Sequence, residues 1–261
     1  MSADPLAPRL EAAFAAVEAA QDVLLSSFNR TLEVTLKADH SPVTAADRGA
    51  EAAIKAVLRQ RFPEDGFYGE EEGQERADAP FLWLIDPLDG TKSFLRGTPY
   101  YSTQLALWHD GMVVVGVSNA PAFGELAWAV RGQGSFLNGQ RLAVSRIAEL
   151  GEAVLSTGNI KSLAARPAWG RFGVLLGQVN RGRGYGDFCH YHMLASGQLD
   201  VVVESDLNIL DIAALSLIVT EAGGMVTDLE GGPVGLDTTH LLASNGLLHE
   251  QVCGQLAYAD R

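Results

Sequence analysis

Phe81-Leu82-Trp83-Leu84-Ile85-Asp86-Pro87-Leu88-Asp89-Gly90-Thr91 is the stretch on which the fold turns. Its first five residues are an unbroken apolar run, the signature of a short buried strand. The spacing predicts that the strand ends at Asp86, which leaves that carboxylate on a rigid element beside the next loop. Pro87 sets the backbone angle of the loop, and Asp89 returns a second carboxylate three residues on. Gly90 lets the backbone approach a ligand closely, and the Gly90 and Thr91 amides are placed to cradle an anion. Hard divalent cations take oxygen ligands, and two carboxylates with a loop carbonyl supply them.

Downstream, the period stays that of strands. Thr103 to Trp108, Val113 to Val117 and Leu126 to Val130 are separated by turn pairs such as Asp110-Gly111 and Asn138-Gly139, which predicts an antiparallel meander. Upstream, the period is helical. Leu6, Leu10, Phe14, Val17, Leu24 and Phe28 mark one amphipathic helix. Ala50, Ile54, Val57 and Leu58 mark a second from Ala46 to Phe62, stopped by Pro63. Beyond about Ala148 strand and helix alternate: a strand at Ala153 to Ser156, a helix near Leu163 to Leu176, a strand at Leu199 to Val203, a helix from near Asp211, and a strand at Leu241 to Ala243 before a last helix. The expected organisation is an α+β half over 1–148 carrying the antiparallel sheet, and an α/β half over 149–261, in one globule.

Composition narrows the function. Of 261 residues 47% are hydrophobic and 20% charged, ordinary for a globular chain, so disorder is not expected. A net charge of −13 removes the basic face that nucleic acid requires, and with it electrostatic binding to anionic lipid. Two cysteines, Cys189 and Cys253, make neither a disulfide framework nor a Cys-rich zinc site. No apolar run approaches the roughly 20 residues that span a bilayer. Asp4, Glu11 and Glu18 interrupt any signal-like segment at the N-terminus, so a cytoplasmic protein is expected. An acidic protein acting on anions needs a cation in its site.

Three acidic clusters are candidates: Gly69-Glu70-Glu71-Glu72, Asp86 to Thr91, and Asp211-Ile212-Ala213-Ala214. Singly, each has a plain reading as a solvated run, a turn or a helix cap. Together they resemble the inositol monophosphatase superfamily. The segment Trp83 to Thr91 resembles its first signature, and Ser41-Pro42-Val43-Thr44-Ala45-Ala46-Asp47, with Lys37 before it, resembles the upstream motif. Gly69-Glu70-Glu71 is similar to its metal-ligand glutamate. Leu210-Asp211-Ile212-Ala213-Ala214 with Glu221-Ala222-Gly223-Gly224 resembles the second signature, Leu210 standing where tryptophan is usual, and Leu242-Ala243-Ser244-Asn245 resembles the closing strand.

The resemblance implies a layered αβαβα sandwich and a magnesium-dependent phosphomonoesterase with two to three Mg2+ per site. Glu70, Asp86 and the Leu88 carbonyl would hold one ion, and Asp86, Asp89 and Asp211 a second. Thr91 with Glu70 would orient and deprotonate the attacking water, Asp47 would support Thr91, and the Gly90 and Thr91 amides would bind phosphate. A homodimer is implied, with a small phosphate ester as its only partner.

Gly186-Asp187-Phe188, then Tyr191 and Leu194-Ala195-Ser196-Gly197, resemble the histidinol-phosphatase branch rather than the inositol-selective one. Asp187 and Glu204 would give the pocket two carboxylates, which suits a cationic amino alcohol; the plain alternative is that Asp187 caps its helix. Arg183 reads either as a solvated charge or as a pocket wall, and is carried as a substrate-binding candidate. His190 and His192 lie two apart on a helix, face different ways, and read as packing or rim residues. Haloacid-dehalogenase chemistry would need two aspartates separated by a single residue, whereas Asp89 follows Asp86 by three, and no nucleotide-binding glycine motif is present. A catalytically silent scaffold would be expected to have lost a ligand, whereas Glu70, Asp86, Asp89, Thr91 and Asp211 all stand.

Overall fold

The computed structural model describes residues 6–30, 34–36 and 42–256; Lys37 and Ser41 lie outside the described residues. The chain opens with α1 (Ala7–Ser27), a hairpin of β1 (Val34–Leu36) and β2 (Pro42–Thr44), and α2 (Ala45–Arg61). Next come β3 (Gly66–Gly69), β4 (Gly73–Glu75), β5 (Phe81–Asp89), the short α3 (Thr91–Leu95), β6 (Ser102–His109), β7 (Met112–Ala120), β8 (Glu125–Val130), β9 (Gly134–Leu137) and β10 (Gln140–Arg141). The remainder is β11 (Val154–Thr157), α4 (Ile160–Ala164), α5 (Trp169–Leu176), β12 (Arg181–Arg183), α6 (Asp187–Ala195), β13 (Val201–Ser205), α7 (Ile209–Glu221), β14 (Met225–Thr227), β15 (His240–Ser244) and α8 (His249–Leu256).

Strands β3 to β10 form one sheet in the order β10-β9-β8-β7-β6-β5-β3-β4, antiparallel except where β3 runs parallel to β5. The second sheet has the order β12-β11-β13-β15-β14. Alternation of strand and helix predicts a parallel sheet, and only β15 departs from it, lying antiparallel to both β13 and β14. The helix expected over Leu163 to Leu176 is two, α4 and α5. Pro167 accounts for the break, since it has no N–H and drives the residue before it out of the helical region.

Side-chain alternation stacks the layers. On β5, Trp83 and Ile85 join α1 and α2 in one core, while Leu82 and Leu84 face α6 and α7 in another. On β13, Val202 faces that same α6/α7 layer, and Val201 and Val203 face α5 and α8. The result is the expected α+β sandwich, αβαβα. Helix α7 lies between two sheets and is buried almost all round, which explains why Ile209 to Val219 show so little amphipathic pattern. One polar tie locks the first layer: Trp83 Nε1 donates to Asp65 Oδ2 at 3.0 Å, and Arg9 holds the other oxygen of that carboxylate at 2.9 Å.

Candidate active site

Strand β5 does not stop at Asp86. It pairs Asp86 with Gln104 and Asp89 with Ser102, so three steps on β5 match two on β6. That is a bulge, and Pro87, which cannot donate to the ladder, sits in it, its carbonyl taken by Thr103 Oγ1 at 2.9 Å. In a regular strand, residues three apart face opposite sides. The extra residue cancels that inversion, so Asp86 and Asp89 converge with Asp211, carboxylate oxygens of all three lying within 4.8 Å of one another.

Each remaining acid arrives by its own device. Gly69 pairs with Ile85, and the Glu70 amide donates to the Ile85 carbonyl at 3.1 Å, which sets Glu70 beside Asp86. Asp211 is the third residue of α7, in a capping box: its Oδ2 accepts from the Asn208 amide at 2.8 Å while Asn208 Oδ1 caps Leu210. Asp47 occupies the same place in α2, accepting from the Thr44 amide at 2.7 Å. The other Asp47 oxygen lies 3.1 Å from Thr91 Oγ1, which is also 3.0 Å from the Leu88 carbonyl. Gly90 caps α3 at φ +86°, where a Cβ would lie 2.5 Å from the Tyr100 carbonyl oxygen, so only glycine fits. The Gly90 and Thr91 N–H groups open that helix, where amides have no partner inside the helix itself.

Electrostatics say what the cluster lacks. Burial, then the fields of Glu70, Asp89 and Asp211, push the Asp86 carboxyl well above its ordinary range. Burial and the charges of Asp187, Asp211 and Glu204 do the same to Asp89. Burial raises Asp211 to about 7. Asp47 is raised by burial against the opposing hydrogen bonds from Thr44 and Thr91. Buried carboxylates facing one another are costly unless a cation joins them. The donor set is all oxygen, which fits a hard divalent ion.

Asp89 and Asp211 also line a cavity of about 50 Å³ with Asn159, Asp187, Tyr191 and Glu204. Asp187 does not cap α6. Gly186 is the cap, and Asp187 is the first helical residue, at φ +46° with no side-chain cap bond. Its carboxyl is raised to about 6, by burial and then by Glu204. Glu204 Oε2 accepts from Tyr191 Oη at 2.8 Å and bonds His190 Nε2 at 2.9 Å. Arg183 is not brought to this cavity. It is exposed on the edge strand β12, its Nη1 donating to the Gly182 carbonyl at 2.8 Å. His190 and His192 diverge: His192 joins Glu125 at 2.7 Å and Ser118 at 2.9 Å. Ser118 is fully buried, so that serine, histidine and glutamate form an internal brace rather than a nucleophile. Sequence reasoning missed Asn159 and Ser102, which donates to Asp89 at 3.3 Å; Asn159 comes from a distant loop and left no local signal. Tyr191 stands four residues after Asp187, one helical turn on, and shares its face.

The model of the inositol monophosphatase family matches residues 6–260. A histidinol-phosphatase of Mycobacterium tuberculosis is 40% identical over 232 residues, covering 86% of this chain and 88% of that protein. An inositol-1-monophosphatase of Mesorhizobium japonicum is 36% identical over 225 residues, 84% of each. Among solved structures, the extragenic suppressor protein suhB of Bartonella henselae superposes with a TM-score of 0.89 at 31% identity, covering 97% of this chain and 100% of that one.

Proposed function

Since this chain belongs to the inositol monophosphatase family, we propose that it is a magnesium-dependent phosphomonoesterase hydrolysing L-histidinol phosphate to L-histidinol and phosphate. The observation that carries the phosphatase reading is the convergence of Asp86, Asp89 and Asp211 beside Glu70 and the Thr91–Asp47 pair. Glu70, Asp86, the Leu88 carbonyl, Asp89 and Asp211 would hold two to three magnesium ions, whose positive charge draws in the phosphate and stabilises the charge that develops during its transfer.

The chain's own groups do the rest. Gly90 and Thr91 amides bind phosphate oxygens. A water donates to the Glu70 carboxylate and to Thr91 Oγ1, and Thr91 turns its own hydrogen to Asp47 Oδ1. Burial makes Asp47 readier than an ordinary carboxylate to carry a proton. As the water oxygen bonds to phosphorus it passes one proton to Thr91 Oγ1, which passes its own to Asp47 Oδ1, while the ester P–O bond breaks on the far side and the departing alkoxide takes a proton from solvent. No side chain becomes phosphorylated, and positioning with charge neutralisation carries the rate.

Substrate choice rests on Asp187 and Glu204, two acids on one cavity wall. A carboxylate paired with an ammonium or imidazolium gains a charge-assisted hydrogen bond worth roughly 1.5–3 kcal/mol, or one to two decades in kcat/KM. The identity to a histidinol-phosphatase supports the same choice. Inositol 1-phosphate is the second reading, favoured by the 36% identity to an inositol-1-monophosphatase. Measuring kcat/KM for both esters in wild type and Asp187→Asn separates them. Histidinol phosphate should lead in wild type and lose most of its lead in the variant; equal or better turnover of inositol 1-phosphate by wild type would defeat the histidinol reading alone.

A further inference from the structure

His190 has no place in the chemistry above, yet it touches the residue on which substrate choice depends. Its ring is fully buried on α6, so no substrate reaches it. Nε2 lies 2.9 Å from Glu204 Oε2, and Nδ1 lies 3.3 Å from Ser156 Oγ on β11. Ser156 Oγ in turn accepts the Tyr185 amide hydrogen at 3.1 Å, from the loop that leads into Asp187. Three elements distant in sequence are thereby joined behind the cavity wall.

A carboxylate can only accept, so the hydrogen between His190 and Glu204 is carried by Nε2, and a neutral ring then accepts at Nδ1. Ser156 spends an acceptor site on the Tyr185 N–H, and its own hydrogen is free to donate to His190 Nδ1. An imidazole that accepts at Nδ1 carries its hydrogen on Nε2, and that hydrogen aims at Glu204. Tyr191 Oη donates to the same Oε2, and burial beside Glu204 holds the Tyr191 hydroxyl far above its ordinary range, so it stays a donor. Two donors saturate Oε2. The other oxygen, Oε1, takes no part in these two bonds and fills the space beside Gly158 that a Cβ would occupy, 1.8 Å from it. Asp187 starts the helix that carries His190, three residues earlier, and is therefore on the same side.

Resting on the histidinol reading, we propose that His190 is a positioning residue for substrate selectivity: with Ser156 it fixes the Glu204 carboxylate and ties it to the Tyr185–Asp187 loop, so that both acids meet the cationic alcohol as one unit. It acts on recognition of the alcohol and leaves phosphate handling untouched, because among the described residues its ring hydrogen-bonds Ser156 and Glu204 and none of the groups assigned to metal or phosphate.

The test uses the full-length protein loaded with magnesium and two esters, L-histidinol phosphate and phenyl phosphate, whose alcohol carries no charge for Glu204 to meet. His190→Asn keeps an amide near the Nδ1 position but loses the donor to Glu204, whereas His190→Gln places an amide nitrogen near Nε2. The expected result is a rise in KM for L-histidinol phosphate of about tenfold in His190→Asn, with kcat nearly kept, and recovery of most of the loss in His190→Gln. Phenyl phosphate should be hydrolysed alike by all three proteins. Equal losses on both esters, or no loss on either, overturn the proposal. A direct reading comes from nitrogen-15 spectra of the wild-type imidazoles, which stay decisive if His190→Asn fails to fold. The proton belongs on Nε2, and a proton found on Nδ1, alone or together with one on Nε2, overturns the assignment. A wild type with no preference for L-histidinol phosphate would defeat the substrate reading, while the spectra would still judge the bonding of His190.

Discussion

Asp89 and Asp211 are held where a carboxylate is uncomfortable, and the discomfort predicts how their variants behave. Burial and neighbouring acids push both well above their ordinary range. Asp89→Asn and Asp211→Asn should each reduce phosphate release below about a hundredth of wild type, since an amide is a poorer partner for a hard cation. The same substitutions remove buried like charges, so without metal the melting temperature should hold or rise. Phosphate release at limiting magnesium together with a melt of the chelated protein reads both; wild-type rates in either variant would refute the ligand assignment. Thr91→Ala tests a different atom. Its hydroxyl lies 3.1 Å from Asp47 and, in the proposed mechanism, orients the water, an interaction that would matter mainly in the transition state. Turnover should fall about a hundredfold while KM changes little, because alanine keeps the backbone amide proposed to bind phosphate. A variant that loses affinity and keeps kcat would make Thr91 a binding residue instead.

At the scale of elements, two capping boxes and one bulge do the aiming. Thr44 with Asp47 and Asn208 with Asp211 repeat one device, in which the third residue of a helix both ties its cap and turns its carboxylate to the site, Asp47 toward Thr91 and Asp211 toward Asp86. Asn208→Ala should therefore cost about 1 kcal/mol of stability and, separately, weaken magnesium binding by loosening Asp211. Differential scanning calorimetry and a metal titration by isothermal calorimetry measure the two effects. Loss of stability with unchanged magnesium affinity would show that the cap serves the helix alone. In the bulge, spacing in sequence misleads: the distance from Asp86 to Asp89 suggests opposite faces of a strand, and only the extra residue at Pro87 brings them to one side. Reading the strand as ending at Asp86 reached the right pairing of acids by a loop that does not exist.

For the molecule as a whole, the acidic centre makes stability depend on pH and metal together. Asp211 is raised from 3.8 to about 7 in the folded protein. Between those values the folded chain keeps a proton that the unfolded chain has lost, so metal-free stability falls as pH rises through that window and the full cost is present above it. Melting of the chelated protein should accordingly drop from about pH 5 to about pH 8, and magnesium at about a hundred times its dissociation constant should restore roughly 2.7 kcal/mol at the upper end. A chelated melt that is flat or rises over this range would contradict the electrostatic picture. What could be read from the chain alone was local: apolar periods that mark α1, α2, β5 and the β6–β8 meander, and the acidic clusters around Glu70, Asp86 and Asp211. These follow from backbone geometry, in which period 2 or 3.6 and a nearby Pro or Gly are visible within a dozen residues. Convergence was not local. The bulge that turns Asp89, the parallel pairing that sets Glu70 beside Asp86, the exposure of Arg183 at a sheet edge, and the Ser156–His190–Glu204 chain joining β11, α6 and β13 all depend on which elements lie side by side. Those neighbours are chosen by burial of both faces of two sheets around α7, a condition on the whole chain that no short window of residues contains.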